Sequence, residues 1–168
     1  MSDPDRAVPA PTAYSLSQIV LHWSIAALVL WQLFFSDDPP ENRAGAAAQG
    51  FWTEMLTSSH LWAGFAILAL VAVRIAIRLR RGPPPPVPDE GRVQAATAKV
   101  VHALFYGLLI YMPVTGILAY YFNLPLTGLH ELGEPLFVGL IAIHVIASLW
   151  HQFVLRDGLF RRIIVPAG

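Results

Sequence analysis

Residues 130–144 read HELGEPLFVGLIAIH, a segment made mostly of Leu, Ile, Val, Phe and Gly that begins and ends with histidine. In an α-helix those fourteen steps rise about 21 Å and make almost four full turns, so both imidazoles share one face near opposite sides of a bilayer. A polar ring inside a membrane helix is costly without a partner and marks a functional site by default. Whether the fold is of this kind depends on the rest of the chain supplying a membrane domain and partners for the two rings.

The membrane domain is written in the composition. Of 168 residues, 55% are hydrophobic and 13% charged, with a mean hydropathy of +0.54, which is far from an average soluble protein. Four apolar runs, at about 14–35, 57–79, 97–122 and 131–155, each reach the roughly 20 residues that cross a hydrocarbon core. The expected fold is an all-α integral membrane four-helix bundle, one domain over residues 1–168. The leading MSDPDRAVPAPTAYS is acidic and Pro-rich, without a basic n-region or small-residue cleavage site, so the first run is expected to remain as a span. With no cysteine, disulfides, iron–sulfur clusters and covalent haem attachment are excluded. No nucleic-acid partner is expected.

The formal net charge is zero, and its distribution carries the information. Ten of the eleven Lys and Arg residues fall before the first run, around the second connection or after the fourth run, and Arg43 alone lies elsewhere. By the positive-inside rule both termini and the 80–96 connection are cytoplasmic, which an even number of spans requires. The cytoplasmic stretch RRGPPPPVPDEGR reads as an extended polyproline-like spacer. The outer side is acidic, with Asp37, Asp38, Glu41 and Glu54 in one loop and Glu131 and Glu134 at the start of the fourth run. Pro113, Gly116, Gly133, Pro135 and Gly139 are candidate kink positions in the last two spans.

All six histidines lie within or at the edge of a span. Depth sorts them into two cross-helix pairs: His22 with His144 towards the cytoplasm, and His60 with His130 towards the outside. Zinc asks for three or four convergent ligands, commonly with carboxylate or thiolate help, which neither pair offers. Haem iron, its equatorial positions filled by porphyrin, needs only two axial ligands, so paired imidazoles on facing helices suit haem b. Gly64 and Gly139 leave room, and the apolar stripe can line the ring. Arg74 stands fourteen residues after His60 on the same face, near the level of the His22–His144 pair. It either answers a haem propionate or snorkels to the cytoplasmic surface. His102 and His151 lie nearer that surface, as contacts for a quinone or a propionate or as interfacial rings. A single membrane histidine is often only an interhelical hydrogen-bonding group. Arg78, Arg80 and Arg81 read as positive-inside anchors, and Trp31, Trp52 and Trp62 as an outer aromatic belt.

Four stretches, YSLSQIVLHW, SSHLWAGFAILALVAVRIAIRL with its proline run, HALFYGLLIYMPVTG and HELGEPLFVGLIAIHVIASLWHQFVLRDG, occur in this order. Together they resemble the bacterial cytochrome b561 group, which shares its four-helix core with the cytochrome b subunits of hydrogenases and formate dehydrogenases. The resemblance spans about residues 14–163 and implies two b haems, with His22 and His144 matching the cytoplasmic-side ligands and His60 and His130 the outer ones. It also implies quinone chemistry near the cytoplasmic haem, where His102 and His151 fall on positions shared by stand-alone members. One branch oxidises superoxide at the outer face and reduces ubiquinone. Here one outer Arg faces six carboxylates, a balance that suits a cationic or neutral donor better than an anion.

The expected function is therefore a multi-pass cytochrome of the bacterial inner (cytoplasmic) membrane that relays single electrons between an outer-face partner and ubiquinone or another membrane quinone. His151, ahead of His102, is the candidate proton donor. The alternatives are a superoxide oxidase, a cytochrome b anchor subunit docked to a dehydrogenase, or, in a different class, a His-lined proton relay or transporter.

Overall fold

The computed structural model describes residues 13–36, 52–53, 57–85 and 91–166. Asp37, Asp38, Glu41, Arg43 and Glu54 of the outer loop, Arg6, and residues 86–90 of the proline spacer lie outside the described residues. Four long helices dominate: α1 (Leu16–Phe34), α2 (Ser59–Arg81), α3 (Arg92–Phe122) and α4 (Thr127–Trp150). A π-helical turn, His151–Leu155, continues α4, and a short 3-10 turn, Phe160–Ile163, follows. All four long helices are apolar and long enough to cross a membrane.

Local chemistry sets the helix ends. Ser15 caps α1, its N–H donating to Gln18 Oε1 at 3.1 Å, and Ser58 caps α2 by accepting from the Leu61 N–H at 3.4 Å. Gly82 ends α2 at φ 70°, a backbone region that glycine enters without Cβ strain, and the proline run then forbids a restart. Asn123, left-handed at φ 53°, ends α3. The third helix begins five residues before the apolar run because RVQAATAK is helix-forming but polar, so hydropathy does not register it. The fourth begins at Thr127 rather than at Glu131. Pro113 and Pro135 are accommodated inside continuous helices.

The bundle packs α1 on α2, α2 on α3 and α3 on α4, whereas α4 approaches α1 and α2 closely at no more than isolated points. Ile25 and Val29 of α1, Ile67 and Val71 of α2, Leu109 of α3 and Phe137 of α4 form the buried core. Large apolar side chains cover the outward faces too, among them Val20, Val73, Leu136, Ile143 and Ile146. Helices apolar on all sides are stable only with a non-aqueous surround, which makes this a multi-pass membrane protein.

One end of the bundle is basic and cross-linked. Gln18 Nε2 donates to Gly82 O at 3.2 Å, Trp23 Nε1 to Ile163 O at 3.0 Å, and Arg162 Nη1 to Pro85 O at 2.5 Å. These bonds tie the start of α1, the end of α2 and the C-terminal turn together. Arg78 lies over the Tyr106 ring at 5.9 Å, a cation–π contact at the same end.

Candidate functional site

Five of the six histidines gather in two layers. Towards the end away from the basic residues, His60 in the first turn of α2 faces His130 of α4, ring centroids 5.9 Å apart with planes at 68°. Towards the basic end, His22 of α1 faces His144 of α4 at 6.4 Å and 61°. Both pairs bridge α4 to a helix with which it does not pack closely. His102 of α3 also reaches His144, at 5.9 Å. It does so from α3, the helix that packs closely on α4, and so flanks His144 from a neighbouring helix. Phe105 packs edge-on against His144 at 5.2 Å and against Phe137 at 5.9 Å, joining the layer to the core.

A cavity enclosing about 710 Å3 of non-atom space, counted to its open mouth, surrounds the His60–His130 pair. Gly64, Leu109, Gly116, Phe137 and Glu134 line it, so one carboxylate stands among apolar walls. The carbonyl of Met112 meets His130 Nδ1 at 2.9 Å, with Thr115 Oγ1 farther off at 3.4 Å. A carbonyl can only accept, so Nδ1 carries the proton and Nε2 keeps its lone pair for the cavity. The ring fits because residue 116 is glycine: a Cβ there would come within 3.0 Å of His130 Cε1. On the other wall Gln32 Nε2 donates to His60 O at 3.1 Å, while the Gln32 Oε1 is buried with no partner among the described residues.

The layer at the basic end is built differently. Arg74 Nη1 donates to Gln18 O at 2.9 Å, and Nη2 meets His22 Nδ1 at 3.3 Å. A guanidinium can only donate, so His22 Nδ1 accepts and its proton sits on Nε2. Arg74 thus reaches the level expected of it and holds His22 directly. His151 stands apart from both layers, bonded to Asp157 at the end of α4. Sequence reasoning did not find Gln18, Thr115, the Met112 carbonyl or Asp157. Only the last left a trace, in the RDG that follows the helix.

A helical membrane bundle that brings imidazoles from different helices together at two levels is, as a class, a membrane protein with candidate sites for a group held between paired rings. The description of the prokaryotic cytochrome b561 family matches residues 13–165, and the chain belongs to that family. It is 30% identical over 161 residues to cytochrome b562 of Cereibacter sphaeroides, covering 91% of this chain and 96% of that one. It is also 30% identical over 173 residues to a probable superoxide oxidase, CybB, of Yersinia pestis, covering 90% of this chain and 95% of that one. Membership makes it a bacterial protein of membrane electron transfer with haem b as the implied cofactor. The residues of the His60–His130 pair fit that group: rings 5.9 Å apart, a cavity at the pair, and a His130 Nε2 whose lone pair is free. Among the described residues no cluster of three or more His, Cys, Asp or Glu offers a site for a bare metal ion.

Proposed function

We propose that the protein is a di-haem cytochrome b that relays single electrons between a partner at the acidic, outer face and the membrane quinone pool on the cytoplasmic, basic side. In this reading His60 and His130 hold the outer haem, and His22 and His144 the inner one. The observation that carries it is the pair of imidazoles fourteen residues apart on α4, each facing a ring on a different helix at 5.9 and 6.4 Å.

Held by His60 with His130 and by His22 with His144, haem b would supply reversible one-electron transfer. The chain does the rest. The Met112 carbonyl fixes the plane and tautomer of His130 and makes its imidazole a stronger donor. Arg74 contributes a half-buried positive charge beside His22, which favours the reduced state of the inner site. Phe105, Leu109 and Phe137 keep water out of the space between the layers. His151, at the cytoplasmic end, hands protons to the quinone, and His102 supports His144 from the side.

Purified protein should carry two non-covalent b haems per chain by pyridine haemochrome analysis, and quinol should reduce them. Fewer than two, or none in a cofactor-replete preparation, refutes the reading, and none returns the histidines to a proton relay. The superoxide oxidase relative supports a second reading in which the outer donor is superoxide. Against it stands Glu134 on the wall of the outer cavity, since a carboxylate repels an anion. Stopped-flow reduction by superoxide, measured across ionic strength, separates the two. A rate that rises with salt indicates repulsion, and a fast rate that falls with salt indicates a steered substrate.

A further inference from the structure

His151 makes the shortest bond between two side chains among the described residues, Nδ1 to Asp157 Oδ2 at 2.5 Å. Helix geometry alone would not produce it. In a continued α-helix residue 157 would stand about 9 Å further along and roughly two-thirds of a turn away from the face of His151. The contact exists because the chain leaves the α-helix at His151, widens into the π-turn His151–Leu155, and reverses at Arg156. Arg156 is left-handed at φ 52°, a region that residues other than glycine seldom occupy, and Gly158 at φ 77° completes the reversal. Asp157 Oδ1 accepts the Leu159 N–H at 3.0 Å, so both carboxylate oxygens are engaged. The 3-10 turn that follows is anchored by Trp23 and by Arg162, which fixes the pair against α1 and the end of α2.

We propose that Asp157 is the positioning residue of a proton-delivering pair, holding His151 so that its Nε2 exchanges protons with a quinone reduced at the basic end. This rests on the quinone reading above. The carboxylate takes the Nδ1–H, which leaves Nε2 as the exchanging atom and stabilises the ring when it is protonated. Burial alone would raise the Asp157 carboxyl, but the bonds from His151 and from the Leu159 N–H outweigh it and hold the group below the usual carboxylate range. Asp157 is therefore a standing negative charge at neutral pH. Side-chain exposures of 16% for His151 and 20% for Asp157 leave the pair reachable from water without dissolving the contact.

The step balances as quinone plus two electrons plus two protons giving quinol. The electrons come singly from the outer reductant; the Nε2 proton passes to one quinone oxygen, water on the cytoplasmic side reprotonates Nε2, and a second transfer from the same atom protonates the other oxygen. The other charged or titratable groups gathered at this end include His22 of α1, Arg74, Arg78, Arg80 and Arg81 of α2, Arg92, Lys99 and His102 of α3, His144 of α4, and Arg156, Arg161 and Arg162 of the C-terminal segment. None of them bonds to His151, so its one polar partner among the described residues is Asp157.

The test uses the full-length haem-loaded protein in lipid nanodiscs with decyl-ubiquinone as acceptor, comparing wild type, Asp157→Asn and Asp157→Glu. Asp157→Asn should keep both haem spectra and a KM within about twofold of wild type, while kcat falls about tenfold or more. Its pH profile should differ from that of wild type, and Asp157→Glu should recover most of both. Nitrogen-15 spectra of His151 should show Nδ1 protonated in wild type and mixed tautomers in Asp157→Asn. If wild type reduces the quinone and Asp157→Asn changes neither kcat nor the pH profile, Asp157 is a structural staple and the proposal is overturned alone. If wild type reduces no quinone at all, the quinone reading fails and takes the proposal with it.

Discussion

The two histidine layers use the same side chain and nearly the same ring spacing, yet their imidazoles are prepared in opposite ways. At the outer layer a backbone carbonyl sets the proton: Met112 O can only accept, so His130 presents a free Nε2 lone pair. At the inner layer a charged side chain sets it: Arg74 can only donate, so His22 presents a protonated Nε2, which cannot bind a metal until the guanidinium lets go. The partner's polarity, and not the histidine, decides which ring is ready.

The largest expected effect tests whether the layers are what they are proposed to be. His130→Ala should reduce haem content from two to one per chain, and so should His144→Ala. His102→Ala should leave two, because His102 lies on the closely packed α3–α4 seam. Pyridine haemochrome against protein concentration measures all three. Loss of a haem in His102→Ala with retention in His22→Ala would invert the inner ligand assignment.

Next in size is the steric fit of the outer layer. Gly116→Val places a branched side chain where even a Cβ would sit 3.0 Å from the His130 ring. The ring cannot retreat without breaking its 2.9 Å bond to Met112 O. Overpacking of this kind costs about 1–3 kcal/mol, so haem affinity at the outer site should fall about tenfold or more in reconstitution titrations, with the inner site unaffected. Gly107→Ala, on the same helix with open space around it, serves as the control.

The third effect belongs to the inner layer. Arg74→Gln removes the positive charge beside His22 and should lower the inner midpoint potential by about 40 mV, equivalent to about 1 kcal/mol for one electron. Spectroelectrochemistry resolves it. A shift confined to the outer haem would place Arg74's charge at the wrong layer.

What the sequence disclosed follows from what a helix fixes by itself. Depth and face are functions of residue number, so the four spans, the fourteen-residue spacing on α4 and the level of Arg74 could be read from the chain. The rotation of one helix against another is not a function of residue number. His102 therefore looked like a surface neighbour of His151, and only packing shows its ring against His144. The start of α3 was hidden because its first turns are polar. The pairing of His151 with Asp157 depends on a π-turn and a left-handed arginine, neither of which leaves a periodic pattern. The Met112 carbonyl is invisible for a simpler reason: every residue has one, and only the close approach at Gly116 brings an imidazole to this one.

The smallest expected effect asks whether that carbonyl, rather than a side chain, governs the outer layer. Thr115 is buried, and its hydroxyl lies 3.4 Å from His130 Nδ1, a distance at which a hydrogen bond is already weak. The hydroxyl has one proton, and Tyr111 O at 2.7 Å is a better acceptor than Met112 O at 3.1 Å. Its remaining lone pair is the second-best acceptor for an N–H that Met112 O already takes. Thr115→Val removes that lone pair while keeping the branched shape, and Tyr111 O loses only a supplementary bond. Both haems should remain and the outer midpoint potential should move by less than about 15 mV, on the order of 0.3 kcal/mol for one electron. A shift as large as that of Arg74→Gln would mean that a side chain sets the His130 proton as well, and the contrast between a backbone-governed and a charge-governed layer would collapse.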